Sequence, residues 1–312
     1  MLNLRTLALL IFVLLICAQP LMAAQELCFV GNGGHLYLQS IGGSPKQITP
    51  DSLTGGICRI PQWMDGNQIL FIYDLKPDAE QPKTKVGIFN LQTRNIKWLT
   101  SLAGSISVGY DKRTKTIDYM KILRKPPYME TFDVYLGEYP LSTGKAKSSK
   151  VFGGGGAIQP KPIWRWPEPG LRLVPLGTSD VSDQMGVWSP SKHRMVSIKW
   201  LTDNWKSSKL DTYAVMSFSP GPGKLAASVI GSGEGGLVTI LYTINPSNEA
   251  VSKIRNSAGV IRSPGFSTDG SWIAWCEEDY QESPSTKTVW ASPLSSPQPK
   301  KLGGGWDPAW RP

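Results

Sequence analysis

The chain ends on Trp306-Asp307-Pro308-Ala309-Trp310-Arg311-Pro312, a fragment that its own beginning completes. Near the start stand Leu27-Cys28-Phe29-Val30, then His35-Leu36-Tyr37-Leu38-Gln39, then Lys46-Gln47-Ile48-Thr49. An interior copy of the pattern runs unbroken: Pro61-Gln62-Trp63-Met64-Asp65-Gly66-Asn67-Gln68-Ile69-Leu70-Phe71, then Val86-Gly87-Ile88-Phe89-Asn90-Leu91, then Ile96-Lys97-Trp98-Leu99-Thr100. The last seven residues therefore read as the first strand of a unit whose other three strands sit at the start of the chain. A closed ring of repeats is sealed in this way, with one unit shared between the two ends.

The spacing agrees. Aromatic anchors just before a turn fall at Trp63, Tyr110, Trp164, Phe218, Phe266 and Trp310, with successive differences of 47, 54, 54, 48 and 44 residues. Each anchor is followed by a turn and then by an apolar stretch: Ile69 to Phe71, Ile117 to Met120, Leu171 to Val174, Leu225 to Val229 and Ile273 to Cys276. Branched and aromatic residues bounded by turn formers read as strands. Four short strands per repeat of this length is the size of a propeller blade, so the expected fold is all-β, a six-bladed propeller of four-stranded blades.

The turns between first and second strands carry the signature Asp-Gly, at Asp65-Gly66 and Asp269-Gly270. Aspartate bonds nearby backbone while glycine accepts a positive φ, which makes a tight hairpin. These aspartates are thus expected to shape turns rather than to act as acids. The third repeat has Asp111-Lys112-Arg113-Thr114, without glycine, and it and the fourth repeat, Trp166-Pro167-Glu168-Pro169-Gly170, are the least regular copies.

Trp-x-x-Asp-Gly, an Ile-x-Phe strand and a closing Leu-Thr, as in Trp63 to Phe71 and Leu99-Thr100, resemble the WD40-like (PD40) repeat of TolB-like six-bladed propellers of bacterial envelopes. The resemblance covers residues 27 to 312 and implies the fold together with a protein-binding role in the envelope. It does not carry over individual partner-binding residues, because no motif here anchors them. The α/β domain that precedes the propeller in TolB is not expected. A similar repeat also precedes the hydrolase domain of prolyl oligopeptidase-like enzymes, but here the pattern stops where the propeller closes.

The first 24 residues have the layout of a secretory signal: Arg5, an apolar run from Leu7 to Ile16, and Leu21-Met22-Ala23-Ala24, with cleavage after Ala23 or Ala24. Residues 25 to 312 then form the propeller. The run is too short to span a bilayer, so no membrane span is expected after cleavage. A lipid anchor at Cys17 is disfavoured by Ile16, which stands where such signals carry a small residue. The destination is periplasmic or secreted. Hydrophobic residues at 40%, with 32 Gly and 25 Pro and no collagen-like period, fit a globular protein of many short strands, and a monomer is expected.

Cleavage leaves Cys28, Cys58 and Cys276. Cys28 and Cys58 flank the ring closure, and a disulfide between them would add about 2 to 4 kcal/mol. The alternative is that all three are small buried strand residues.

Little supports enzyme chemistry. With only His35 and His193, a multi-histidine metal centre is excluded, and there is neither a Gly-x-Ser-x-Gly elbow nor a His-Glu-x-x-His pair. Ser219-Pro220-Gly221-Pro222-Gly223-Lys224 lacks phosphate-loop spacing and occupies a hairpin turn. No cofactor is expected.

Strand alternation places the loops joining second and third strands on the rim that also carries the connections between repeats. The long, variable loops lie there, at 74 to 85, 121 to 131, 201 to 211 and 277 to 287. Long loops on a rigid scaffold are where binding usually resides. From Lys112 to Lys150, nine basic residues face four acidic ones, a net of +5 out of +9 for the chain, whereas Glu277, Glu278, Asp279 and Glu282 make the last loop acidic. Candidate partner-binding residues are therefore Lys121, Arg124, Lys125 and Tyr128 in the basic loop, with Trp205 and Lys206 in another, Trp205 as an aromatic anchor. An envelope or periplasmic protein, engaged through this loop rim or through the central channel, is the expected partner. An anionic glycan, bound or cleaved by a lyase, is the alternative, and nucleic acid is not expected for an exported chain.

Overall fold

The computed structural model describes residues 25–76, 83–124, 131–155, 161–165, 171–179, 182–192, 194–196, 212–233, 236–245, 247–248, 250–279 and 285–312. Among them are 23 strands and one 3-10 turn, Thr100–Leu102. No helix among the described residues is long and apolar enough to cross a membrane.

The strands run β1 (Glu26–Gly31), β2 (Leu36–Ser40) and β3 (Lys46–Gln47), then β4 (Ile57–Trp63), β5 (Gln68–Asp74), β6 (Thr84–Asn90) and β7 (Ile96–Trp98). Next come β8 (Ser105–Asp111), β9 (Thr116–Arg124), β10 (Thr131–Pro140) and β11 (Lys147–Gly155), then β12 (Trp164–Arg165), β13 (Arg172–Ser179), β14 (Ser182–Ser189) and β15 (Arg194–Val196). The last groups are β16 (Thr212–Gly221), β17 (Lys224–Gly233), β18 (Gly236–Ile244) and β19 (Val251–Ser257), and β20 (Val260–Phe266), β21 (Trp272–Asp279), β22 (Thr286–Pro293) and β23 (Lys300–Trp310).

Groups β4 to β7, β8 to β11, β12 to β15 and β16 to β19 are antiparallel four-stranded sheets, here blades 2 to 5. The chain ends meet in the fifth sheet: β20-β21-β22-β23-β1-β2-β3 is one run of seven strands. The first half of β23 pairs with β22, Lys300 opposite Ala291, and completes blade 6. Its second half pairs with β1, Trp310 opposite Leu27 and Gly305 opposite Gly31, and supplies the first strand of blade 1. All six anchors stand in the first strand of their blade, as the repeat pattern places them.

Side-chain alternation explains why the second strands carry apolar residues on both faces. Successive residues of a strand point to opposite faces, and here both faces are covered by a neighbouring blade. In β5, Ile69 and Phe71 pack with Cys28, Val30 and Leu36 of blade 1, whereas Leu70 and Ile72 pack with Val108, Ile117 and Tyr119 of blade 3. In β21, Ile273 and Trp275 meet Ala226 and Leu241 of blade 5, while Ala274 meets Leu27 and Phe29 of blade 1. Two further clusters join blades 3 and 4 (Met120, Val134, Val174, Trp188) and blades 4 and 5 (Leu173, Val187, Leu225, Val229). The core is thus a set of six interfaces, each joining one blade to the next. Each large side chain buried in them contributes about 1.5 to 3 kcal/mol.

Two glycines mark where blades approach most closely. A Cβ on Gly109 of β8 would lie 2.1 Å from the carbonyl oxygen of Ile163, whose N–H donates to the carbonyl of Val108 at 2.8 Å. A Cβ on Gly221 would lie 2.2 Å from the ring of Phe266.

The hairpin chemistry is more varied than the Asp-Gly pattern implies. Gly270 does take a positive φ, 68°, and Asp269 Oδ1 accepts the N–H of Ser271 at 3.0 Å. Gly66 does not. There Asp65 Oδ1 accepts the N–H groups of Asn67 and Gln68 at 2.7 and 2.8 Å and closes the turn unaided. In blade 3, which lacks the glycine, Lys115 takes the left-handed conformation at φ 53°.

Candidate functional site

First strands of all blades face one axis, and at the end where they run into their hairpins lies a cavity of about 580 Å³. Its wall carries five of the six anchors, Trp63, Tyr110, Trp164, Phe266 and Trp310, with Arg113 at one side. A volume of this size suits a small ligand or a few residues of a peptide.

The anchors hold the ring together before they do anything else. Trp63 Nε1 donates to the carbonyl of Ala309 in blade 1 at 3.0 Å, and Trp310 Nε1 donates to the carbonyl of Gly265 in blade 6 at 3.0 Å. Each of these indoles reaches the residue just before the anchor of the preceding blade. Gln62 extends the belt the other way, donating to Val108 O at 2.8 Å and accepting the N–H of Tyr110 at 3.1 Å. Arg311 stacks its guanidinium over Trp63, 5.2 Å from the ring centroid, and pairs with Glu26. The Gln62 amide and the indole N–H groups of Trp63 and Trp310 are therefore spent within the belt, and the cavity wall presents both apolar and polar surface. Burial, followed by the charges of Asp65 and Asp111, pushes the Tyr110 phenol up, so it stays a neutral hydrogen-bonding group at any ordinary pH.

Three adjoining first strands share a second device. Proline stands two residues before the anchor at Pro61, Pro162, Pro264 and Pro308, and in the three adjoining strands, at Pro61, Pro264 and Pro308, the ladder loses register there. Proline cannot donate to a ladder, which accounts for the slips. The preceding residues, Ile60, Ser263 and Asp307, take φ of 51°, 49° and 52°. Such conformations cost on the order of 1 to 3 kcal/mol each for a residue with a side chain. Asp307 offsets part of this: its carboxylate accepts the Ile60 N–H of blade 2 at 3.1 Å and the Ser263 hydroxyl of blade 6 at 2.8 Å. One side chain thus ties three blades at the ring closure. The Pro-x-aromatic spacing was visible in the sequence, but Asp307's partners lie 247 and 44 residues away and were not.

The blade 3 hairpin that offers Arg113 rests on a buried charge cluster. Asp111 Oδ1 accepts the N–H groups of Arg113 and Thr114 at 2.9 and 3.3 Å. Asp111 Oδ2 takes Nη2 of Arg172 from blade 4 at 3.2 Å, and Arg172 Nε donates to Asp118. Asp118 occupies a position facing blade 4, like Met120, where the repeat otherwise puts apolar residues. Burial pushes its carboxyl up to about 7; Arg172 opposes this, and Glu138 and Asp111 add to it.

Of the residues singled out on the long-loop rim, Lys121 and Arg124 lie toward the far end of β9, away from the cavity. Lys121 is half-buried over Tyr119 and donates to Ser101 O at 3.3 Å; burial lowers its pKa. Arg124 lies over Phe132. Lys125, Tyr128, Trp205 and Lys206 lie outside the described residues, as does His193. The basic stretch is split, with Lys112, Arg113 and Lys115 at the mouth end and Lys121 and Arg124 at the other. The acidic stretch is neutralised locally: Glu277 pairs with Arg255 at 2.8 Å, and Glu278 with Arg262 and Lys287 at 3.3 Å each. Cys28 and Cys58 are buried free thiols in the cluster between blades 1 and 2. Burial pushes Cys58 up to about 12 and Cys28 well above its ordinary value.

No family model and no curated protein matches the chain in sequence. Solved structures do match in fold. TolB from Acinetobacter baumannii aligns with a TM-score of 0.63 at 13% identity, covering 92% of this chain and 67% of that one. A putative TolB from Agrobacterium tumefaciens aligns with a TM-score of 0.52 at 12% identity, covering 91% and 90%. Oligogalacturonate lyase in complex with manganese aligns with a TM-score of 0.52 at 13% identity, covering 90% and 74%. The fold is a TolB-like β-propeller. Manganese belongs to the lyase structure; among the described residues of this chain no group of three His, Cys, Asp or Glu side chains is placed to hold a metal ion, and His35 is engaged with Thr49 at 3.2 Å.

Proposed function

We propose that the chain is an exported, non-enzymatic binding scaffold of the bacterial cell envelope, periplasmic or secreted, that takes a segment of a protein partner at its channel mouth. The convergence of five anchor rings on one cavity carries this reading. Aromatic residues and arginine seated in a concave pocket supply much of the binding energy at interfaces. The likeness to TolB structures supports the same class of role, and the signal-like first 24 residues support export.

The test uses the chain from residue 25 and a Thr268→Trp variant. Thr268 is an exposed hairpin residue on the cavity wall, so a bulky substitution fills the mouth without touching the blade interfaces. Affinity capture from the envelope fraction should recover one stoichiometric protein with the wild-type chain and lose it with the variant. Equal recovery by both places the partner elsewhere.

A further inference from the structure

Arg113 differs from the other arginines. Every other arginine whose side chain is described has a bonding partner or ring: Arg59 with Asp74, Arg94 with Ile48 O, Arg124 over Phe132, Arg172 with Asp111 and Asp118, Arg255 with Glu277, Arg262 with Glu278, and Arg311 with Glu26. Among the described residues the Arg113 guanidinium has none, yet it lines the cavity. Its backbone is nevertheless fixed, because Asp111 holds the hairpin and is itself held by buried Arg172. The described wall carries no Asp or Glu side chain to satisfy it. An exposed guanidinium on a rigid hairpin beside the half-buried rings of Tyr110 and Trp164 is a preorganised carboxylate receptor.

We infer that Arg113 is the specificity-determining residue of the channel mouth, and that it selects a protein segment carrying a carboxylate next to an aromatic side chain. The inference rests on the reading of the mouth as the partner site. The aromatic side chain enters among Tyr110, Trp164 and Phe266, the half-buried rings of the wall, and the carboxylate meets Arg113, with Lys112 and Lys115 adding positive field on the same hairpin. A peptide fits this wall better than a uronic-acid sugar. The amide of Gln62 and the N–H groups of Trp63 and Trp310 are already bonded, so beyond Arg113, Tyr110, Trp164 and Thr268 a sugar's hydroxyls would be desolvated without a side-chain partner on the described wall.

The experiment titrates the chain from residue 25 with capped Glu-Trp and Trp-Glu dipeptides, their Gln-Trp and Trp-Gln counterparts, and a uronic-acid disaccharide, by ligand-observed NMR at low salt. One charge-assisted contact is worth about tenfold in affinity, so the better Glu peptide should bind about tenfold more tightly than its Gln counterpart. That ratio should fall to near one in Arg113→Gln, recover in part in Arg113→Lys, and persist in Lys112→Gln. Equal binding of Glu and Gln peptides, or a ratio unchanged in Arg113→Gln, overturns the role of Arg113 while leaving the mouth as the partner site, provided Thr268→Trp still abolishes binding. Absence of peptide binding, or preference for the disaccharide, overturns both.

Discussion

Replacing Arg172 with Met should unlock the seam between blades 3 and 4, and the loss should depend on pH. Arg172 is 4% exposed and is shared by two carboxylates, Asp111 and Asp118, each 1% exposed. Removing one partner of a buried ion pair typically costs about 3 to 5 kcal/mol, because the remaining charge is left without compensation. Asp118 then has one escape, which is to take up a proton. Its carboxyl is already raised from 3.8 to about 7, chiefly by burial. A carboxyl with a raised folded pKa binds its proton more tightly folded than unfolded. Its contribution to stability is therefore fully present below about pH 4 and is lost as pH rises toward about 7. At about 1.4 kcal/mol per pH unit, the loss across that window is on the order of 4 kcal/mol. The assay is urea unfolding at pH 5 and pH 8, followed by tryptophan fluorescence, for wild type, Arg172→Met, Asp118→Asn and the double variant. Arg172→Met should cost more at pH 8 than at pH 5. Asp118→Asn should flatten the wild-type slope between the two, and Asp118→Asn should restore much of what Arg172→Met loses at pH 8. A loss below about 1 kcal/mol in Arg172→Met at pH 8, or no recovery in the double variant, would show that Arg172 does not compensate a buried Asp118 charge.

Three further outcomes are expected. Asp307→Ala removes the acceptor of both Ile60 N–H and the Ser263 hydroxyl, and should lower stability by about 1 to 3 kcal/mol in chemical denaturation, with Asp307→Asn losing less. Gly109→Ala drives a Cβ into the Ile163 carbonyl, which is backbone and cannot swing aside; it should cost more than about 3 kcal/mol, measured the same way, whereas Ala at the open turn position Gly66 should cost under about 1 kcal/mol. Burial holds the thiols protonated, so the native chain from residue 25 should resist iodoacetamide at pH 8, and unfolding without reductant should release three alkylated cysteines by mass; one would show that Cys28 and Cys58 have paired.

The blade plan was legible because it repeats. An anchor, a turn and an apolar strand recur often enough to reveal the fold, and the N-terminal strands already lacked the first strand that Trp306 to Trp310 supply. What a single blade cannot announce is a contact made between blades. Asp118 and Arg172 are 54 residues apart, and each reads alone as an ordinary strand charge. Glu277 and Glu278 read as a surface acidic patch because their partners Arg255, Arg262 and Lys287 come from other strands. Loop length likewise drew attention to the rim of Lys121 and Arg124, since length is visible in a sequence and convergence on an axis is not. The anchors were identified as punctuation of the repeat; their second role, as the wall of the mouth, follows only once the first strands face one another.

Site-specific photocrosslinking in the cell tests the central claim most directly. A photoreactive residue at Thr268, on the mouth, is compared with one at Leu123, 53% exposed toward the opposite end of blade 3. A discrete crosslinked envelope protein is expected from position 268 and none from 123. The same adduct from 123 with nothing at 268 would contradict the claim and move the partner to the long-loop rim.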